Sequence, residues 1–196
     1  MPTTQQERSR ATQQRLLDAT VECLFEYGWA RTTTTLIADR AGVSRGAQLH
    51  HYPTKTTLVL AAITHLAEMR GNELRAEAGV LRAASPQERV DRVVDLLTAA
   101  FTGPLFVAAL ELWVAARTDP ELRAALVPLE ATIGREMHRI AVTLLGADES
   151  KPGVRQAVQA TLDLLRGLGV ANLLTDDRQR RDNLLAGWKQ QLVQLL

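Results

Sequence analysis

From Ile37 to Gly46 the chain reads Ile-Ala-Asp-Arg-Ala-Gly-Val-Ser-Arg-Gly, and His50-His51-Tyr52-Pro53-Thr54-Lys55 follows shortly after. Gly42 stands where one short helix must reverse into the next, and glycine adopts the left-handed conformation of such a stop at the least cost. Ala38 and Ala41 are small enough for close helix packing, Ser44 is a good N-cap, and Ile37 and Val43 flank the turn as apolar pegs that set the interhelical angle. Arg45 and Gly46 open the second helix, where backbone N–H groups and the positive end of the dipole suit a phosphate or a base edge. The pattern is a helix-turn-helix, the device that puts a helix into DNA.

With its flanks the pattern becomes specific. Gly28 ends a first helix, Thr32-Thr33-Thr34 begins a second, and Gly46-Ala47, His50-His51-Tyr52 and Lys55 follow at fitting distances. Residues 10 to 65 thereby resemble the tetracycline-repressor (TetR) family of bacterial one-component regulators. The resemblance implies an all-α chain of about nine helices. It places a three-helix DNA-binding head with a disordered N-terminal arm in residues 1–54, and a helical effector-binding and dimerisation body in residues 55–196.

Composition agrees with a helical protein. Of the 196 residues 46% are hydrophobic and 4% aromatic, enough for a core built from alanine and leucine. The net charge is +1, so DNA binding must be local and geometric rather than a coating by charge. Residues 1–60 carry seven Lys and Arg against five Asp and Glu, an asymmetry of the expected sign. The single Cys23 excludes an intrachain disulfide and favours the cytoplasm, with a packing role for the thiol. Met1 to Arg15 has no apolar core of a secretory signal, and the apolar stretch Pro104 to Ala116 is interrupted by Glu111 and too short to span a bilayer. No membrane role is expected.

After an arm of about ten residues, Leu16, Ala19, Cys23 and Tyr27 recur at helical spacing up to Gly28. Thr33 is the expected cap of a helix to Arg40, Arg45 to His51 makes the next, and Pro53 ends it. Further helices are expected from Lys55 to Glu77, from Ser85-Pro86, from Pro104, from Asp119-Pro120 to Gly146 with a break at Pro128, from Val154 to Leu174, and from Arg178 to Leu196.

By resemblance, Thr33 or Thr34, Arg45, Gly46, His50, His51 and Lys55 are DNA contacts. Arg45 can be bidentate to guanine or grip a phosphate, whereas Lys55 is expected to be a nonspecific phosphate anchor. Tyr52 is expected in the core of the head. The adjacent histidines point about 100° apart on a helix, a poor arrangement for a metal. One departure matters: the family has an apolar residue followed by tyrosine where this chain has Gln48 and Leu49. Gln48 is expected to face the groove and pair with adenine, with Leu49 filling the core or meeting a thymine methyl.

In the second part, Val158, Leu162, Leu165 and Gly169 form one stripe and Leu185, Trp188, Leu192 and Leu195 another, expected to meet a second copy across a two-fold axis. A homodimer matches an inverted-repeat operator in double-stranded DNA. Phe101, Phe106, Leu110, Glu111, Trp113, Met137 and His138 are the expected lining of an effector pocket, with Glu111 as its charged group. Neither a metal nor a cofactor is expected. His65, His138 and Asp163 lack metal-ligand spacing, and the chain has no phosphate-cradling loop and no serine elbow, which argues against catalysis. The expected function is a repressor released by a small apolar or amphipathic effector. An activator of the same fold and a helical adaptor without specific DNA binding stand as alternatives.

Overall fold

The computed structural model describes residues 5–196, and among these all regular structure is helical. The elements are α1 (Gln5–Arg31), α2 (Thr34–Ala41), α3 (Arg45–His51), α4 (Lys55–Ala76), α5 (Ala78–Leu81), α6 (Pro86–Thr102), α7 (Pro104–Ala116), α8 (Pro120–Leu145), α9 (Val154–Ala171) and α10 (Arg178–Leu195). Their starts follow the capping chemistry read from the sequence. Thr33 and Ser44 accept from the N–H groups of Leu36 and Ala47, Ser85 and Glu88 form a reciprocal capping box, and Asp119 Oδ1 accepts from Leu122 N–H.

Three boundaries differ from expectation. Helix α1 is already formed at Gln5, so much of the expected disordered arm is helical; the remaining residues 1–4 lie outside the described part. The extra turn α5 follows α4 and buries Leu81. Helix α8 runs unbroken through Pro128. The carbonyl that a residue-128 N–H would have bonded belongs to Ala124, which is exposed, so water can satisfy it and the helix continues.

The chain forms two compact units. Among the described residues one comprises 5–68 together with Val107–Ala131; the other comprises Met69–Phe106 and Thr132–Leu196. In the first, α1 packs on α2 and α2 on α3, around Leu16, Cys23, Leu24, Ile37 and Ala38, each at most 2% exposed. Burial pushes the Cys23 thiol up from its ordinary pKa, in keeping with a packing role.

In the second unit α6 packs against α9 and α10, with Val93, Val94, Leu97, Val158, Leu165 and Leu192 at its centre. Gly169 lets α9 approach the end of α6: a Cβ there would overlap the Phe101 carbonyl oxygen and lie 2.9 Å from the Phe106 ring. The Trp188 indole N–H donates to Thr161 Oγ1 at 3.0 Å. The stripes expected to meet a second copy are therefore largely spent inside the chain. Val158, Leu162, Leu165, Gly169, Leu185 and Leu192 are buried and Trp188 is half-buried, while Leu195 alone of the eight is exposed. Helical periodicity shows that a face is apolar, not which neighbour covers it. Here α6 covers it.

Candidate nucleic-acid interface

The turn between α2 and α3 is built as its residues require. Gly42 takes φ 61, ψ 40, its N–H reaching Ala38 and Asp39 carbonyls, and Val43 N–H donates to Ala38 O at 3.0 Å. These bonds occupy carbonyls that the end of α2 would otherwise leave open. Arg40 ties α2 back to α1. Its guanidinium bonds Glu26 at 2.5 Å and Tyr27 Oη at 3.0 Å, and lies over the Tyr27 ring. The arginine holds the Glu26 carboxyl below the usual carboxylate range.

Helix α3 then presents one side outward. Arg45, Gly46, Leu49 and His50 are exposed, and His51 is half-buried. A Cβ built on Gly46 would meet nothing within 4 Å, so its missing side chain serves no internal packing. At the start of α2, Thr33 is exposed and Thr34 half-buried. These residues form a surface carrying a guanidinium, an imidazole and hydroxyls around a bare patch of backbone, the mixture that base edges and phosphates accept.

Two expected contacts take other positions. Gln48 is fully buried, and its Nε2 donates to Tyr52 O at 2.6 Å. It cannot pair with a base from there. The side of α3 that carries Gln48 faces inward, so Leu49 beside it lies outside, 45% exposed, rather than in the core. Tyr52 is half-buried, with its hydroxyl pushed up by burial.

Lys55 is the second. Its ammonium donates to Trp29 O at 2.5 Å and lies 3.6 Å from the centroid of the Trp29 ring. Desolvation pulls its pKa below the ordinary lysine value. The side chain expected to reach a phosphate is instead anchored on α1.

Trp29 is held from its other end by a residue that sequence reasoning assigned elsewhere. At Gly28, φ 69 and ψ 176 interrupt α1 in a region of backbone conformation open essentially to glycine alone. The Trp29 N–H released there is taken by Glu111 Oε2 of α7 at 3.0 Å. A Cβ at Gly28 would lie 2.6 Å from that oxygen. Glu111 was expected to face an effector; its carboxylate is a bracket on the helix-turn-helix unit. Nothing local signals this pairing across 82 positions.

The other expected pocket residues are divided between the two units. Leu110 and Trp113 are half-buried in the first unit. In the second, Phe101 and Phe106 stack edge to face at 5.6 Å, and His138 Nε2 pairs with Glu149 at 2.8 Å, beside half-buried Met137. An open depression of about 470 Å³ in the first unit has different walls, among them Arg117, Pro120, Arg123 and Val127. Among the described residues no single helix is long and apolar enough to cross a membrane.

Residues 16–62 match the family described as bacterial regulatory proteins, tetR family. The chain is 34% identical over 182 residues to the HTH-type transcriptional regulator CymR of Pseudomonas putida, covering 90% of this chain and 87% of that protein. It is 30% identical over 148 residues to an uncharacterised HTH-type transcriptional regulator of Mycobacterium tuberculosis, covering 76% of this chain and 75% of the relative. Its fold resembles that of the transcriptional regulator FadR from Bacillus subtilis, solved in complex with stearoyl-CoA. The TM-score is 0.68 at 20% identity, with 93% of this chain and 98% of the other covered.

Proposed function

Because the chain belongs to the tetR family of bacterial regulatory proteins and is thus a DNA-binding transcriptional regulator rather than an enzyme, we propose that it is a homodimeric repressor released from an inverted-repeat operator by a small effector. The observation that carries the DNA contact is the outward side of α3, where Arg45, Gly46, Leu49 and His50 are exposed and Gly46 has open space beside it. Arg45 supplies a bidentate donor to guanine or phosphate, Gly46 permits close approach, and Thr33, Thr34, His50 and His51 contact the flanking backbone. Lys55 acts through Trp29, holding the end of α1 in place.

Residues 1–54 carry the DNA contact and residues 55–196 the dimer and effector functions, in the cytoplasm. With the inner sides of α9 and α10 occupied, the dimer uses their outer sides, where Gly167, Val170, Leu184 and Leu195 are exposed. A two-fold pair of heads matches half-sites about one helical turn apart. The effector is apolar or amphipathic, a class to which the stearoyl-CoA in the FadR structure belongs. It lowers operator affinity by binding one arrangement of the heads better than the other.

Selection of bound duplexes from a random pool by the purified chain tests this reading. An enriched inverted repeat, lost with Arg45→Ala, is the expected result. Enrichment of nothing, or of a single half-site by a monomer, would overturn it.

A further inference from the structure

We propose that Leu49 is a specificity-determining residue of the DNA contact, reading a thymine in each half-site through its C5-methyl group; the inference rests on the DNA-binding reading of α3 given above. The fully buried side chain of Gln48 marks the side of α3 that faces inward. Leu49, the next residue, lies outside and is 45% exposed. Arg45 and Gly46 precede it by four and three positions and so share its side of the helix.

Helical side chains lean toward the N-terminus, so Leu49 covers the turn that Arg45 and Gly46 begin. No Cβ at Gly46 crowds it, and the space beside that glycine is open. A large aliphatic group therefore stands on the side of the recognition helix that carries the guanidinium. It has neither donor nor acceptor to offer a phosphate, a sugar or a polar base edge. The major groove displays one apolar group, the C5-methyl of thymine. Leu49 is matched to that group, at a base pair adjoining the one that Arg45 contacts.

The test starts from the duplex selected by the full chain. Each thymine is replaced in turn, symmetrically in both half-sites, by deoxyuridine, which keeps every hydrogen-bonding group and removes only the methyl. Wild type is expected to lose about fourfold in affinity per half-site at one position and to be indifferent elsewhere, the worth of one buried carbon. Leu49→Ala is expected to bind more weakly and to be indifferent to deoxyuridine at that position. Because Leu49 is exposed, the variant keeps its fold, which circular dichroism checks. Wild-type indifference at every thymine, or an undiminished methyl effect in Leu49→Ala, would overturn the assignment while leaving the DNA-binding reading intact. A pool from which no duplex is selected would overturn both.

Discussion

Glu111 and Trp29 are joined by one hydrogen bond, from the Trp29 backbone N–H to Glu111 Oε2 at 3.0 Å, across the point where Gly28 interrupts α1. Lys55 takes the carbonyl of the same tryptophan and lies over its ring. The peptide groups of Trp29 are thus held from α7 and from α4 at once. Helix α1 braces the helix-turn-helix, so these two bonds set where that brace ends.

Gly28→Ala is expected to cost about 1–3 kcal/mol from backbone strain, on top of the overlap with Glu111. Glu111→Ala is expected to cost about 1–3 kcal/mol by leaving the Trp29 N–H without its acceptor. The double variant escapes the overlap, so its loss should be smaller than the sum of the two. Denaturant unfolding of all four proteins measures this; strict additivity would show that the two residues do not bear on each other.

Gly46→Ala is expected to leave the fold intact or to stabilise it by up to about 1 kcal/mol, since alanine is the better helix residue and nothing stands within 4 Å of its Cβ. Operator affinity should nevertheless fall. Thermal unfolding and a binding titration on the same samples separate the two effects.

Gln48→Ala is expected to lower stability by about 2 kcal/mol through the cavity it leaves. Binding to all single-base variants of the operator should weaken evenly, with their ranking unchanged. A loss confined to one base position would return Gln48 to the groove.

Gly169→Ala is expected to destabilise the chain itself, because the new methyl meets the Phe101 backbone and the Phe106 ring. Gly167→Arg, on the outer side of α9 with open space around it, should instead separate the dimer and leave each copy folded. Light scattering with circular dichroism distinguishes the two outcomes.

The ion pair between Arg40 and Glu26 gives a pH dependence of known sign. Glu26 has a folded pKa below its unfolded one, so the pair's contribution is complete above the ordinary carboxylate pKa and is lost as pH falls through the folded value. Wild type should be more stable than Glu26→Gln near neutrality, and the difference should vanish in acid. Melting temperatures of both across the acid range check this.

The helix-turn-helix was legible because its signals are local: Thr33, Ser44 and Gly42 cap and turn the chain by bonds to residues three or four away. What escaped depends on contacts distant in sequence. The exchange of polarity at Gln48 and Leu49 reads as a rotation of α3, but Gln48 is buried all the same, because the side of α3 that faces inward is set by packing of the whole helix and not by the polarity of one residue. Glu111 looked like a charge seeking a ligand because its partner lies in another helix. Gly169 looked like a dimer residue because a smooth apolar stripe has the same spacing whichever helix it meets. Pro128 looked like a break because exposure of the preceding turn cannot be read from proline alone.

The proposed DNA contact rests most directly on Arg45 and the side of α3 it shares. Titration of the selected operator with wild type and Arg45→Glu, with melting temperatures checked in parallel, measures that claim. The expected result is a loss of at least about thirtyfold, two contacts of about 1 kcal/mol each, at unchanged stability, with steep weakening of wild-type binding as salt rises. Equal affinities for the two proteins, with little dependence on salt, would contradict it.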